Sequence, residues 1–146
     1  IGISFYYFYH TRAGEAGLAT ILFVLVTIWV TDSGAYFVGR SLGKRKLWPE
    51  ISPNKTVEGF FGGITCAIIA SILFYFFNVL DYNIGKMIIV ALLIAVFGQL
   101  GDLVQSAYKR HYGVKDAGNI LPGHGGILDR FDSLLFVLPI LHFFIF

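Results

Sequence analysis

The run Lys86-Met87-Ile88-Ile89-Val90-Ala91-Leu92-Leu93-Ile94-Ala95-Val96-Phe97-Gly98-Gln99-Leu100-Gly101-Asp102 decides the fold class. From Met87 to Phe97 no side chain is polar, and the stretch 86–105 has the roughly 20 residues that a helix needs to cross a hydrocarbon core. Two further apolar stretches, 17–39 and 60–80, meet the same criterion. The whole chain is 56% hydrophobic, 17% aromatic and only 14% charged, a composition outside the soluble range. The expected fold is therefore all-α, a polytopic transmembrane helix bundle. Its spans are predicted at about 17–39, 60–80 and 86–105, with a partial helix at 1–10 and a final helix from about 127. Both ends lie in apolar runs, and Ile1 is preceded by neither a Met nor a basic n-region. The 146 residues are thus expected to form one domain of a longer chain, with any targeting helix upstream.

Charge placement supplies the orientation. Of eleven Lys and Arg residues, Arg40, Lys44, Arg45, Lys46 and Lys55 fall between the first two spans, and Lys109, Arg110, Lys115 and Arg130 follow the third. Successive crossings put these two segments on one side, leaving Arg12 and Lys86 for the other. The positive-inside rule assigns the basic side to the cytoplasm. Topology thus explains basic clusters that would suggest nucleic acid in a soluble protein, and no nucleic-acid partner is expected.

The same side carries the polar chemistry. The loop 40–59 contains Trp48-Pro49 and Ser52-Pro53-Asn54-Lys55, whose prolines favour turns. The loop 106–126 is rich in glycine: Gly113, Gly118, Gly123, Gly125 and Gly126. Asp32 and Asp102 lie inside or at the ends of spans, where an ionised carboxylate is expensive and marks function by default. The alternative for each is a carboxylate wetted at the interface or paired with a lysine. Ser106 and Lys109 follow Asp102 on the same helical face. Asp129 and Asp132, three residues apart, share one face at the start of the final helix. They either cap that helix through its dipole or hold a cation. Pro122-Gly123-His124-Gly125-Gly126 just before them favours the second role: glycine admits backbone N–H groups to a phosphate, Lys109, Arg110 and Lys115 neutralise it, and carboxylates hold Mg²⁺ against it. His124 either donates to phosphate, acts as acid or base, or makes a structural hydrogen bond. No His or Cys partner stands at ligand spacing, so zinc is not expected. Cys66, the single cysteine, reads as a small packing residue.

The stretch from Ser106 through Lys109-Arg110-His111-Tyr112-Gly113 and Leu121-Pro122-Gly123-His124-Gly125-Gly126-Ile127-Leu128-Asp129-Arg130-Phe131-Asp132 closely resembles the signature of the phosphatidate cytidylyltransferase (CDP-diacylglycerol synthase) family. The stretches Asp32-Ser33-Gly34-Ala35-Tyr36-Phe37-Val38-Gly39-Arg40 and Ser52-Pro53-Asn54-Lys55-Thr56-Val57-Glu58-Gly59-Phe60-Phe61-Gly62-Gly63 resemble the same family, so that the likeness covers the chain from about Trp29 onward. It implies that 1–146 is the carboxy-terminal catalytic membrane domain, with amino-terminal helices missing. It also implies a nucleotidyltransferase of phospholipid biosynthesis, in which a phosphatidic acid oxygen attacks the α-phosphorus of CTP and releases pyrophosphate. Under that resemblance Mg²⁺ is assigned to Asp102 and Asp129, with Asp132 as a further ligand or supporting group. Lys55, Lys109, Arg110, Lys115 and Arg130 are assigned to phosphates, Asp32, Ser106, Gly123, Gly125 and Gly126 to the substrate site, and His124 to a role in or beside catalysis. The expected setting is a bacterial inner membrane with the site facing the cytoplasm, membrane lipids as surroundings, and room for a homodimer. The competing readings are a CTP-dependent lipid kinase and a divalent-cation transporter.

Overall fold

The structure is a computed structural model that describes residues 2–14, 16–113 and 128–144, the last segment with side chains from Ser133 onward. Five helices and one hairpin follow in order: α1 (Gly2–Ala13), α2 (Gly17–Leu42), β1 (Lys46–Trp48), β2 (Ser52–Thr56), α3 (Val57–Phe76), α4 (Ile84–His111) and α5 (Leu128–Phe144). Of these, α2, α3 and α4 are long and apolar enough to cross a membrane. The polytopic all-α expectation therefore holds, apart from the small two-stranded sheet.

Local chemistry sets the boundaries. At the start of α3, Thr56 has extended backbone angles, and its hydroxyl oxygen accepts the Gly59 N–H at 3.1 Å, satisfying one of the orphan donors of a first helical turn. Asn83 caps α4 in the same way, accepting the Lys86 N–H at 2.7 Å. After His111, Gly113 takes a φ of +68°, a conformation open to glycine without strain, and its N–H reaches the Arg110 carbonyl at 3.0 Å, in keeping with glycine stop signals. Lys109, Arg110 and His111 in the last turn of α4 complement its negative dipole end.

Several boundaries differ from those read off hydropathy. α4 runs past residue 105 to His111, so that Ser106 and Lys109 do continue the Asp102 helix, and the loop expected from 106 begins only beyond Arg110 and His111. α2 extends to Leu42, and α3 occupies Val57–Phe76 in place of 60–80. Hydropathy detects the hydrocarbon crossing, whereas a helix continues into water as long as its backbone bonds and cap permit. The loop 40–59, expected as turns, contains an antiparallel hairpin with Lys46 opposite Thr56 and Trp48 opposite Ser52. Pro53 is tolerated because each strand of a two-stranded sheet has a free edge.

The bundle closes around Phe23, Val24 and Ile28 of α2, Ala67 of α3, Met87, Ala91 and Ile94 of α4, and Val137 and Leu141 of α5, all buried. Large apolar side chains such as Trp29, Phe37, Phe61 and Phe76 are exposed, a surface suited to lipid tails and not to water. Helices in lipid associate by close packing of small residues, and the α2–α3 seam is built this way. A Cβ at Gly34 would stand 2.6 Å from the Cys66 sulfur, one at Gly62 2.5 Å from Val38, and one at Gly59 2.6 Å from the Ala35 carbonyl oxygen. Cys66 is thus a packing residue with a free thiol.

Gly62→Leu is expected to force α2 and α3 apart and to destabilise the bundle by about 1–3 kcal/mol, the usual cost of overpacking. Gly2→Leu, whose Cβ would meet nothing within 4 Å, should leave thermal stability in detergent unchanged. Melting curves of the two variants provide the measurement.

Candidate functional site

The end of α2, the hairpin and the start of α3 meet the later part of α4 around a cleft of about 770 Å³. Its walls include Asp32, Tyr36 and Arg40 from α2, Lys46, Asn54 and Lys55 from the hairpin, Gln99 and Asp102 from α4, and Ser133 from α5. Three of the candidates taken from sequence, Asp32, Lys55 and Asp102, are therefore brought together although they lie on three different elements.

Its central contact is an ion pair between the Lys55 ammonium and the Asp102 carboxylate. The two side chains are 29% and 34% exposed, which removes enough water for the pairing to matter more than at an open surface. The Ser106 hydroxyl lies 3.5 Å from the other Asp102 oxygen, one helical turn further on. Below the pair, buried Gln99 donates its amide N–H₂ to the carbonyls of Ala95 at 3.1 Å and Phe60 at 3.3 Å, tying α4 to the first turn of α3. Arg40 donates to the Tyr36 hydroxyl at 3.0 Å, so that the guanidinium is oriented along the cleft wall.

Backbone contacts hold the hairpin that carries Lys55. Glu58, in the first turn of α3, accepts the N–H groups of Lys44 at 3.1 Å and Arg45 at 3.2 Å on one carboxylate oxygen. The Val57 N–H returns to the Arg45 carbonyl at 2.9 Å. The strand pair is thereby fastened to the helix that follows it, and the cleft residues Lys46, Asn54 and Lys55 inherit that position.

Other sequence candidates are placed differently. Lys109 and Arg110 stand in the last turn of α4, outside the cleft lining. Asp129, Arg130 and Asp132 occupy the first turns of α5, but their side chains lie outside the described residues, as do Lys115, Gly123, His124, Gly125 and Gly126. Among the described residues no group of three or more His, Cys, Asp or Glu side chains is gathered around a common point. Tyr36, Asn54 and Gln99 line the cleft without having been singled out. Tyr36 had a usable signal, since it follows Asp32 by four residues and so shares its helical face. Asn54 precedes Lys55 on a short strand that prolines obscured.

A bundle with three helices long and apolar enough to cross a membrane, and with cationic and carboxylate side chains converging on one cleft, defines a class: a membrane protein with a charged cleft. More particularly, the chain belongs to the Cytidylyltransferase family, which it matches over residues 1–146. It is similar to proteins named phosphatidate cytidylyltransferase from Bacillus subtilis strain 168 (61% identical over 144 residues, 98% of this chain and 54% of the relative) and Staphylococcus epidermidis RP62A (58% over 142 residues, 97% and 54%). A third relative of that name, from Staphylococcus haemolyticus, is 57% identical over 142 residues, again 97% of this chain and 54% of the relative. The chain spans about half the length of these curated relatives.

Glu58→Ala should free the hairpin from α3, and amide hydrogen exchange at Lys44 and Arg45 is expected to speed up by about tenfold, the scale of a lost bond to a charged acceptor. Glu58→Gln keeps an acceptor oxygen and should show a smaller change.

Proposed function

We propose that the chain is the carboxy-terminal catalytic half of a membrane nucleotidyltransferase that converts CTP and phosphatidic acid to CDP-diacylglycerol and pyrophosphate. The observation that carries this reading is the cleft in which Lys55 and Asp102 meet beside Arg40 and Lys46. It offers cations for phosphate and carboxylates for a metal at the end of an apolar bundle, and the relatives' names supply the substrate class.

The donor chemistry suits a hard divalent ion. Asp32 and Asp102 both line the cleft, and Asp102 already carries a cation in the form of the Lys55 ammonium. Asp129 stands one helical turn before Ser133, which is itself a cleft residue, and residues four apart share a helical face. We assign Mg²⁺ to Asp102 and Asp129 with Asp132 in support, all oxygen donors of the type this ion prefers. When bound, the ion supplies charge neutralisation at the nucleotide phosphates.

The protein's own residues then have a defined task. Two polyanions must approach each other, and cationic side chains offset their repulsion and stabilise the charge that spreads over the transferring phosphoryl group. Arg40, Lys46 and Lys55 serve from the cleft walls, with Lys109 and Arg110 in the last turn of α4 and with Lys115 and Arg130 as further phosphate contacts. Asp32 and Ser106 orient the bound groups. Backbone N–H groups around Gly123, Gly125 and Gly126 cradle phosphate, with His124 hydrogen-bonding there. A lipid phosphate oxygen forms a bond to the α-phosphorus as the bond from that phosphorus to the bridging oxygen breaks, and pyrophosphate departs. The attacking phosphate is already ionised at neutral pH, so no strong general base is needed. The acyl tails stay in the bilayer. The cleft faces the cytoplasm of a bacterial inner membrane in this reading, and homodimerisation through the lipid-facing surface belongs to the same proposal.

Labelled CTP and phosphatidic acid, supplied to the full-length protein with and without Mg²⁺, test the reaction. Formation of a CDP-lipid with pyrophosphate is the expected result, whereas CDP with a phosphorylated lipid would indicate a kinase and absence of any CDP-lipid would overturn the reading. Asp102→Asn should lower turnover by about 100-fold or more, the scale of lost electrostatic stabilisation in a transition state, and Lys55→Met should also be severely impaired. Lys86→Met, at the far end of α4, should be near normal.

Orientation is tested separately. Cysteines introduced singly at Lys46 and Lys86 in a Cys66→Ala background should react with impermeant maleimide from opposite faces of the membrane, because the 20 residues of α3 separate the two ends by roughly 30 Å at helical rise. Labelling of both from one face would overturn the orientation.

A further inference from the structure

We infer that Lys55 is a tethered counter-cation, closing Asp102 to a divalent ion until a polyphosphate draws the ammonium away. The inference rests on the proposed function and concerns how its site is loaded. The Lys55 ammonium contacts the Asp102 carboxylate directly and so neutralises the charge that would attract a divalent ion. Its backbone is held in place: Lys55 sits in β2 between cleft residues Asn54 and Thr56, Thr56 is 5% exposed and caps α3, and Glu58 fastens the neighbouring turn. Only the flexible side chain is free to exchange partners. A tethered charge competes at high effective concentration with one from solution, so a divalent ion alone meets an already neutralised carboxylate.

An incoming triphosphate changes that balance. Arg40 and Lys46 line the same cleft and attract the anion, which then offers the Lys55 ammonium a second acceptor. Once the ammonium moves to phosphate, Asp102 regains its full charge beside the nucleotide. Metal and nucleotide therefore bind with positive coupling, each raising the affinity for the other, as linkage requires. Lys55 in this scheme serves first as a guard of Asp102 and then as a phosphate contact.

The test reads metal binding directly, using Mn²⁺ and electron paramagnetic resonance of the free ion, on full-length protein in detergent without nucleotide. Lys55→Met is expected to bind Mn²⁺ more tightly than wild type, on the order of tenfold for a coupling of ordinary size, and adding Asp102→Asn should erase the gain. Lys55→Arg keeps the counter-charge and should resemble wild type. Lys46→Met removes an equal charge from the same cleft and should shift affinity by less than Lys55→Met does, since Coulomb attraction falls with distance and Lys55 is the residue in contact with Asp102. No tightening in Lys55→Met, or equal tightening in Lys46→Met, overturns the inference. Should Lys55→Met fail to fold, wild type decides: acylation of Lys55 by an amine-reactive ester should accelerate as Mn²⁺ is added while Lys86 stays constant, and an unchanged Lys55 rate is the refuting result. Because no substrate is present, a protein that makes CDP-lipid yet shows no effect loses this inference alone, whereas absence of CDP-lipid counts against the function and leaves the metal titration interpretable.

Discussion

A carboxylate that closes a long apolar helical run needs a counter-charge, and much of this architecture serves that need at Asp102. The apolar run that precedes it commits α4 to the membrane, where an unpaired ionised side chain would cost several kcal/mol on insertion scales. Lys55 provides the compensating charge, but it belongs to a segment that would otherwise be free to wander in water. The hairpin, the Thr56 cap and the Glu58 contacts to the Lys44 and Arg45 amides convert that segment into a fixed arm reaching α4 at Asp102. Gln99, one turn before the acid, bonds to the Phe60 carbonyl and sets the height of α4 against α3. The cleft is therefore a consequence of how one charge is accommodated.

Small residues make that accommodation possible. Gly59, Gly62 and Gly34 allow α2 and α3 to approach until backbone atoms and the Cys66 side chain are in contact. Gly59 is also the donor to Thr56, so the helix cap and a close approach to the α2 backbone occur at one residue. A side chain there would push the hairpin and its lysine away from α4. On the other flank, a Cβ at Gly101 would lie 2.8 Å from Phe136, so the residue beside Asp102 is likewise reserved for helix contact, here with α5. Packing in the bundle and charge pairing in the cleft thus depend on overlapping residues.

How much of this was legible in sequence follows from which forces leave a local trace. Burial in lipid does, because some 20 consecutive residues must be apolar, so the runs around Leu25, Ala67 and Ala91 announced the spans. Charge in an apolar setting also does, which is why Asp32 and Asp102 stood out. Helix ends leave a weaker trace: His111 lies beyond the hydropathy boundary because a polar helix in water resembles a loop by composition. The hairpin leaves almost none. Lys46-Leu47-Trp48 and Ser52-Pro53-Asn54-Lys55-Thr56 lack the apolar alternation of a buried strand, and their pairing is imposed by the contacts of Glu58 and Thr56. Non-local contacts such as Gln99 with Phe60 cannot be read from spacing at all, although 39 positions separate them.

The pairing of Lys55 with Asp102 also bears on why the proposed site would suit a membrane face. In water, the pair would be worth little, since screening and side-chain entropy offset a surface contact. Deep in the bilayer, desolvation would exceed the attraction and freeze both charges in place. At about one-third exposure, neither extreme applies: the contact is strong enough to organise the cleft and still open enough for the ammonium to exchange its partner. A lipid, for its part, presents its phosphate at the boundary of water and hydrocarbon while its tails remain in the bilayer. In the proposed reaction the same boundary that makes the charge pair adjustable brings a water-borne nucleotide and a membrane-bound phosphate within reach of one another.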